Sequence, residues 1–163
     1  MTSLQAGIEN RRAFSVVPTP LVVAAALVDG QPAGMMIGSF VTHSLTPGLV
    51  SISVQRNSSS WPKLRDAGQI GISLISEKLR TIIPEFYRPS HERFTAVEWS
   101  AQGSGVILDD SPMAMVTEVI SEIDAGDHLL VMLQITELNT LEDDEPGNQP
   151  IVFQQSIFRS MNA

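Results

Sequence analysis

The chain has 163 residues, 43% of them hydrophobic, enough for a single domain over residues 1–163 whose core buries roughly 70% of the unfolded surface. Ten Lys and Arg against 18 Asp and Glu leave a formal net charge of −8, which removes the broad attraction to phosphate backbones and acidic membranes that nucleic-acid and membrane-surface binding require. With no cysteine there is no disulfide framework, thiolate metal site or cysteine nucleophile, and the opening MTSLQAGIENRR contains no apolar leader, so a cytoplasmic protein is expected.

In chain order, the segment carrying Ile8, Arg11, Arg12 and Phe14 suits a short helix that ends before Pro18 and Pro20. Leu21 to Val28 reads as a strand, and Asp29-Gly30 is a hairpin dipeptide that turns it back onto a strand beginning near Gly34. Residues 34 to 54, GMMIGSFVTHSLTPGLVSISV, read as two strands about a turn at Thr46-Pro47-Gly48. Ser60-Trp61-Pro62 opens a short helix ending near Gly68, with Ser59 or Ser60 as its cap. Ile70 to Ile75 alternates as a strand, and Glu77 to Tyr87 suits a second helix interrupted by Pro84. Met113 to Ile120 and Leu129 to Leu138 are longer strand-like runs. LEDDEPGNQP, residues 141 to 150, reads as a solvated hairpin loop before a last strand IVFQQ. Several short strands with few helices predict a mainly β protein, a closed or partly split antiparallel barrel.

The three histidines stand in no HxxxH or HExxH spacing, and no GxSxG, P-loop or GxGxxG occurs, so metal, hydrolase and kinase chemistry are not indicated. What stands out is the density of small and hydroxyl residues within the strands after Gly34: Gly38, Ser39, Thr42, Ser44, Ser51 and Ser53. Each gives up packing area, which often means that something other than protein approaches the backbone. Two further features are the polar run Arg56-Asn57-Ser58-Ser59-Ser60 and Ala125-Gly126-Asp127-His128 directly before a strand. Taken singly, the first reads as a capping turn and the second as a tight turn with a surface histidine.

Their order along the chain resembles the flavin reductase-like family of FMN-binding split-barrel proteins. The resemblance runs from Arg12-Ala13-Phe14 and Pro18-Thr19 through Gly34-Met35, Ser39-Phe40, Ser44-Leu45, Arg56 with Ser58-Ser59, Arg93-Phe94 and Gly103-Ser104-Gly105 to Ala125-Gly126-Asp127-His128. It implies an NAD(P)H-dependent reductase of FMN or FAD, typically homodimeric, that serves a separate oxygenase component. By the family pattern Met36, Ile37, Gly38, Ser39, Phe40 and Ser44 line the flavin ring and ribityl chain. Ser58, Ser59 and Trp61 take the phosphate side, with Arg56 adding local positive charge. Gly126, Asp127 and His128 lie by the nicotinamide, where Gly126 leaves room for the second ring. A rival reading keeps the same fold as a flavin-binding electron carrier or sensor without NAD(P)H turnover. The chain departs from the pattern at Met36-Ile37-Gly38, where Thr-Ala-Ser is common, at Gly48, and at Phe153-Gln154-Gln155-Ser156, where an aromatic, Arg and Gly are common.

Overall fold

The computed structural model describes residues 2–140 and 145–161. Helix α1 (Ser3–Phe14) starts with a capping box, in which Thr2 Oγ1 accepts from the Gln5 amide and the Gln5 side chain accepts from the Thr2 amide. After β1 (Thr19–Pro20) the chain enters β2 (Val22–Val28), whose residues Val22 to Ala26 are all buried. Such a run without polar alternation belongs to a strand covered on both faces. Here each face has its own core.

Val22, Ala24 and Ala26 point into one core with Ile52, Leu64, Ile70, Ile72 and Leu133, while Val23 and Ala25 point into a second with Ile75, Phe86, Phe94, Val106 and Ile151. The two-residue period of a strand makes this division automatic. Asp29 (φ 52°) and Gly30 (φ 76°) adopt the left-handed pair that a tight I′ hairpin demands, and β3 (Gln31–Ile37) returns along β2 with Val22 opposite Ile37.

Next come β4 (Val41–Leu45), β5 (Gly48–Gln55), α2 (Trp61–Asp66), β6 (Gln69–Leu74) and an 11-residue 3₁₀ helix (Glu77–Tyr87). They are followed by β7 (Trp99–Gln102), β8 (Gly105–Leu108), β9 (Met113–Ala125) and β10 (His128–Thr140). Among the described residues the large sheet runs β4-β5-β10-β9-β6-β2-β8-β7, antiparallel throughout, with β3 attached to β2. Its path does not close, so the architecture is an antiparallel split barrel with a few short helices. No helix among the described residues is long and apolar enough to cross a membrane.

Several expectations are corrected. Residues 34 to 54 hold parts of three strands, because the chain bends at Gly38 to Phe40, and the turn itself is Thr46-Pro47 with a cis peptide while Gly48 already belongs to β5. Ser60 occupies the N-cap position of α2, one of the two serines expected there, but its side chain makes no capping bond, and the Trp61 amide donates instead to Ser58 Oγ at 3.2 Å. Residues 141–144 of the acidic loop lie outside the described residues. The remainder of that loop is not a hairpin turn: it packs on the 3₁₀ helix, with Gln149 O and Gly147 O accepting from the Glu77 and Lys78 amides. It delivers the chain into a separate small sheet, β1-β11-β12, formed with β11 (Ile151–Gln154) and β12 (Ile157–Ser160). IVFQ is therefore not the last strand.

Candidate functional site

Among the described residues β3 pairs with β2 alone, so alternate peptide groups along it face away from the sheet with no strand partner, although the Gly34 carbonyl accepts from Arg93 Nη1. Bare edges of this kind are usually blunted or covered. Beside this one lies a cleft of about 620 Å³, within the range of small-molecule sites. Met35, Met36, Ile37 and Val54 form its apolar wall. Asn57, Ser58, Ser59 and Ser60, from the turn between β5 and α2, form a polar end, and Gln55, Arg93 and His128 complete the lining with Gly38, Ser39 and Ser53.

The structure thus brings together seven of the residues expected from sequence: Met36, Ile37, Gly38, Ser39, Ser58, Ser59 and His128. Others it places elsewhere. Phe40 and Trp61 are buried in the first core, at 9% and 2% exposure, and the Trp61 indole N–H donates to Glu122 Oε1 at 2.7 Å. Ser44 sits on β4, opposite Leu49, outside the cleft lining. Arg56 and Asp127 line a smaller neighbouring recess of about 330 Å³ together with Gln55 and Asn57. There the Arg56 charge is already matched: Nη2 stands 2.6 Å from Asp124 Oδ1, and Nε donates to Gly126 O at 2.8 Å.

Local chemistry also reassigns some reasons. The Ser39 hydroxyl donates to Ser53 O (2.9 Å) and accepts the Ser53 amide (2.8 Å), so its single proton is committed to holding the β3–β4 bend against β5. Gly126 has φ +69° and nothing within 4 Å of a Cβ placed on it, so the turn conformation accounts for the glycine without any appeal to crowding. At Gly38 a Cβ would stand 3.2 Å from Thr19 Oγ1, which keeps the bend tight against β1.

His128 opens β10, and its Nδ1 stands 2.7 Å from Asp127 Oδ1. The hydrogen bond and charge of His128 hold the Asp127 carboxyl below the usual carboxylate range. An ionised Asp127 accepts from Nδ1–H, and in that tautomer of the imidazole Nε2 is an acceptor.

Sequence reading did not pick out Met35, Ser53, Gln55, Asn57, Ser60 or Arg93 as site residues. Met35, Gln55, Asn57 and Ser60 adjoin residues that were chosen, so proximity in sequence was a usable signal. Arg93 comes from a loop 55 positions beyond Gly38, and its signal was the Arg93-Phe94 pair within the family resemblance, to which no site role was attached.

An antiparallel split barrel carrying a nucleotide-sized cleft beside a bare edge strand defines a class of small-molecule-binding domains. Within that class the chain belongs to the flavin reductase-like domain family, whose model matches residues 14–162. The chain is 30% identical over 159 residues to an NADH:FMN oxidoreductase of Rhodococcus qingshengii, covering 96% of this chain and 82% of that protein. It is 28% identical over 136 residues to a flavin reductase of Pseudomonas putida, covering 82% and 80%. Some relatives are longer, and the chain spans 41% of the reductase component of a flavin-dependent trigonelline monooxygenase from Acinetobacter baylyi, at 29% identity. In fold it is similar to nitrilotriacetate monooxygenase component B of Mycobacterium thermoresistibile, with a TM-score of 0.90 at 22% identity over 99% of this chain and 89% of that one.

Proposed function

We propose that this protein is an NAD(P)H:flavin oxidoreductase that reduces FMN or FAD and passes the reduced flavin to a separate monooxygenase component. The observation that carries this reading is the cleft, which gathers the β3–β4 bend, the serine turn and His128 on one surface that no carboxylate lines among the described residues. The residues present fit a flavin. Met35, Met36, Ile37 and Val54 offer apolar contact to a planar ring, the bare edge of β3 offers peptide donors and acceptors to its polar rim, and the serine turn offers hydroxyls to the phosphate-bearing chain.

Bound flavin supplies a ring that accepts hydride from the dihydronicotinamide. The protein's own task is to hold and align, which requires no strong acid or base. His128, oriented by Asp127, presents Nε2 as an acceptor suited to a carboxamide N–H. A cytoplasmic setting, where NAD(P)H is supplied, suits the reading.

We place the active form as a homodimer with the flavin site near the subunit boundary. Its support is apolar surface that an isolated chain leaves in water: Leu45 is 97% exposed, and Val41, Ile120 and Ile123 are each 50% exposed.

The deciding experiment mixes purified protein with NADH or NADPH and catalytic FMN or FAD and follows nicotinamide absorbance. Steady turnover is expected. Bound flavin without turnover overturns the reductase reading in favour of a flavin carrier. His128→Ala should leave flavin affinity within about twofold while raising KM for the nicotinamide or slowing flavin reduction about tenfold or more. Stopped-flow reduction of flavin-loaded variant that matches wild type removes His128 from the site.

A further inference from the structure

Resting on the reading of the cleft as a flavin-reductase site, we infer that Arg93 is the cation that binds a cofactor phosphate there, where the family resemblance offered Arg56 as a source of local positive charge. Arg56 lines the neighbouring recess rather than the cleft, and its guanidinium stands beside the exposed Asp124 carboxylate. Arg93 Nη1 donates to Gly34 O at 2.9 Å and its Nε to Arg88 O at 3.1 Å, and no carboxylate among the described residues stands within ion-pair distance of it. Two neutral carbonyls thus fix the guanidinium in place and leave its charge uncompensated, with the remaining N–H donors unassigned.

Its support is rigid. Phe94, the next residue, is buried and meets Phe86 edge-on at 5.6 Å between ring centroids. A Cβ on Gly34 would come within 2.9 Å of the Phe94 ring and 2.7 Å of Ala24 O, so the Arg93-Phe94 pair sits directly against a position that only glycine fits. Arg93 is moreover the only permanently charged residue of the cleft lining among the described residues. On a chain of net charge −8, a lone unmatched cation in a cleft free of carboxylates selects an anion, and a guanidinium matches phosphate through paired N–H bonds. The neighbouring helix α2, six residues long, is too short to provide that attraction through its dipole.

Two cofactor phosphates share this chemistry, that of the flavin and those of the dinucleotide. The test compares Arg93→Gln with wild type in fluorescence titrations using FMN, riboflavin and NADH. A loss of about 10- to 100-fold in FMN affinity with riboflavin unchanged supports the assignment and makes the flavin phosphate the ligand. A comparable loss for NADH alone supports it with the dinucleotide as the source. Equal losses for FMN and riboflavin would mean that Arg93 only braces Gly34, and no change in any titration would mean that it binds nothing; either result overturns the inference. Arg93→Lys, which keeps the charge, should recover part of the affinity, and it carries the test if the glutamine variant does not fold. In wild type, added salt should weaken FMN more than riboflavin. A wild-type protein that takes up neither flavin overturns the reductase reading and this assignment together, and the wild-type titration tells that case from failure of Arg93 alone.

Discussion

At the scale of single residues, the small side chains that drew attention in the sequence divide into those that serve the protein itself and those that face the cleft. Ser51 is buried against His43 Nε2 at 2.7 Å, and Ser39 is tied to the Ser53 backbone. Both are internal fastenings. The strongest backbone demand falls outside the stretch, at Gly71, where an added Cβ would meet Val106 O at 2.0 Å because the β8 backbone lies directly against it. Gly71→Ala should therefore cost more than the ~1–3 kcal/mol usual for overpacking, or prevent folding, since backbone cannot rotate away as a side chain can. Thermal unfolding decides it, and a melting temperature within about 2 °C of wild type would show that β8 shifts freely. The family resemblance grouped Met36 through Ser39, Ser58, Ser59 and His128, and these seven residues line one cleft. Sequence alone could not separate a serine facing a ligand from one facing a carbonyl, because both look alike until the partner's position is known.

At the scale of elements, the strand pattern was legible where alternation was clean, as in β5 and β6, or where an unbroken apolar run ended in a hairpin dipeptide, as in β2 with Asp29-Gly30. The C-terminal hairpin was missed because its turn is made by Gln155 (φ 51°) and Ser156 (φ 62°), which carry none of the usual glycine or asparagine signal. Left-handed backbone at non-glycine residues is costly, and here the turn is restrained by Gln155 N donating to Ser15 O and Gln154 Nε2 donating to Val16 O. Replacing Gln155-Ser156 with Asn-Gly should raise stability by about 1 kcal/mol, measured by denaturant unfolding. An unchanged or lower midpoint would mean that the native side chains add contacts beyond the turn. The same hairpin is fastened to the 3₁₀ helix by Glu77, which bonds Arg80 and the Ser160 hydroxyl. Those bonds, Arg80 first, hold the Glu77 carboxyl below its ordinary 4.5. A carboxyl more acidic in the folded state contributes stability that is fully present above its unfolded value and is lost as pH falls through the folded one. Acid melting curves should accordingly show a fall below about pH 4.5 that is shallower in Glu77→Gln.

At the scale of the whole molecule, a chain of net charge −8 holds a cleft whose only fixed charge among the described residues is positive, and the large sheet leaves apolar side chains of β4 and β9 in water. Sedimentation should give twice the 17.7 kDa chain mass, and Leu45→Asp should shift the species toward monomer while leaving the fold intact. A wild-type monomer at micromolar concentration would remove the dimer. Fold class was readable in advance because strand periodicity and turn chemistry are local. The pairing of the chain's two ends was not, since Thr19 lies opposite Phe153 and nothing local at either residue announces the other. That pairing bears on how the protein is made. During vectorial synthesis β1 leaves the ribosome before β11, so this pairing can form only after β11 has followed it out, whereas the strands of the large sheet lie between the two. A nascent chain arrested before Ile151 should therefore show the Thr19 region open to protease while β2 is already protected, and the small sheet should be the last part of the molecule to close.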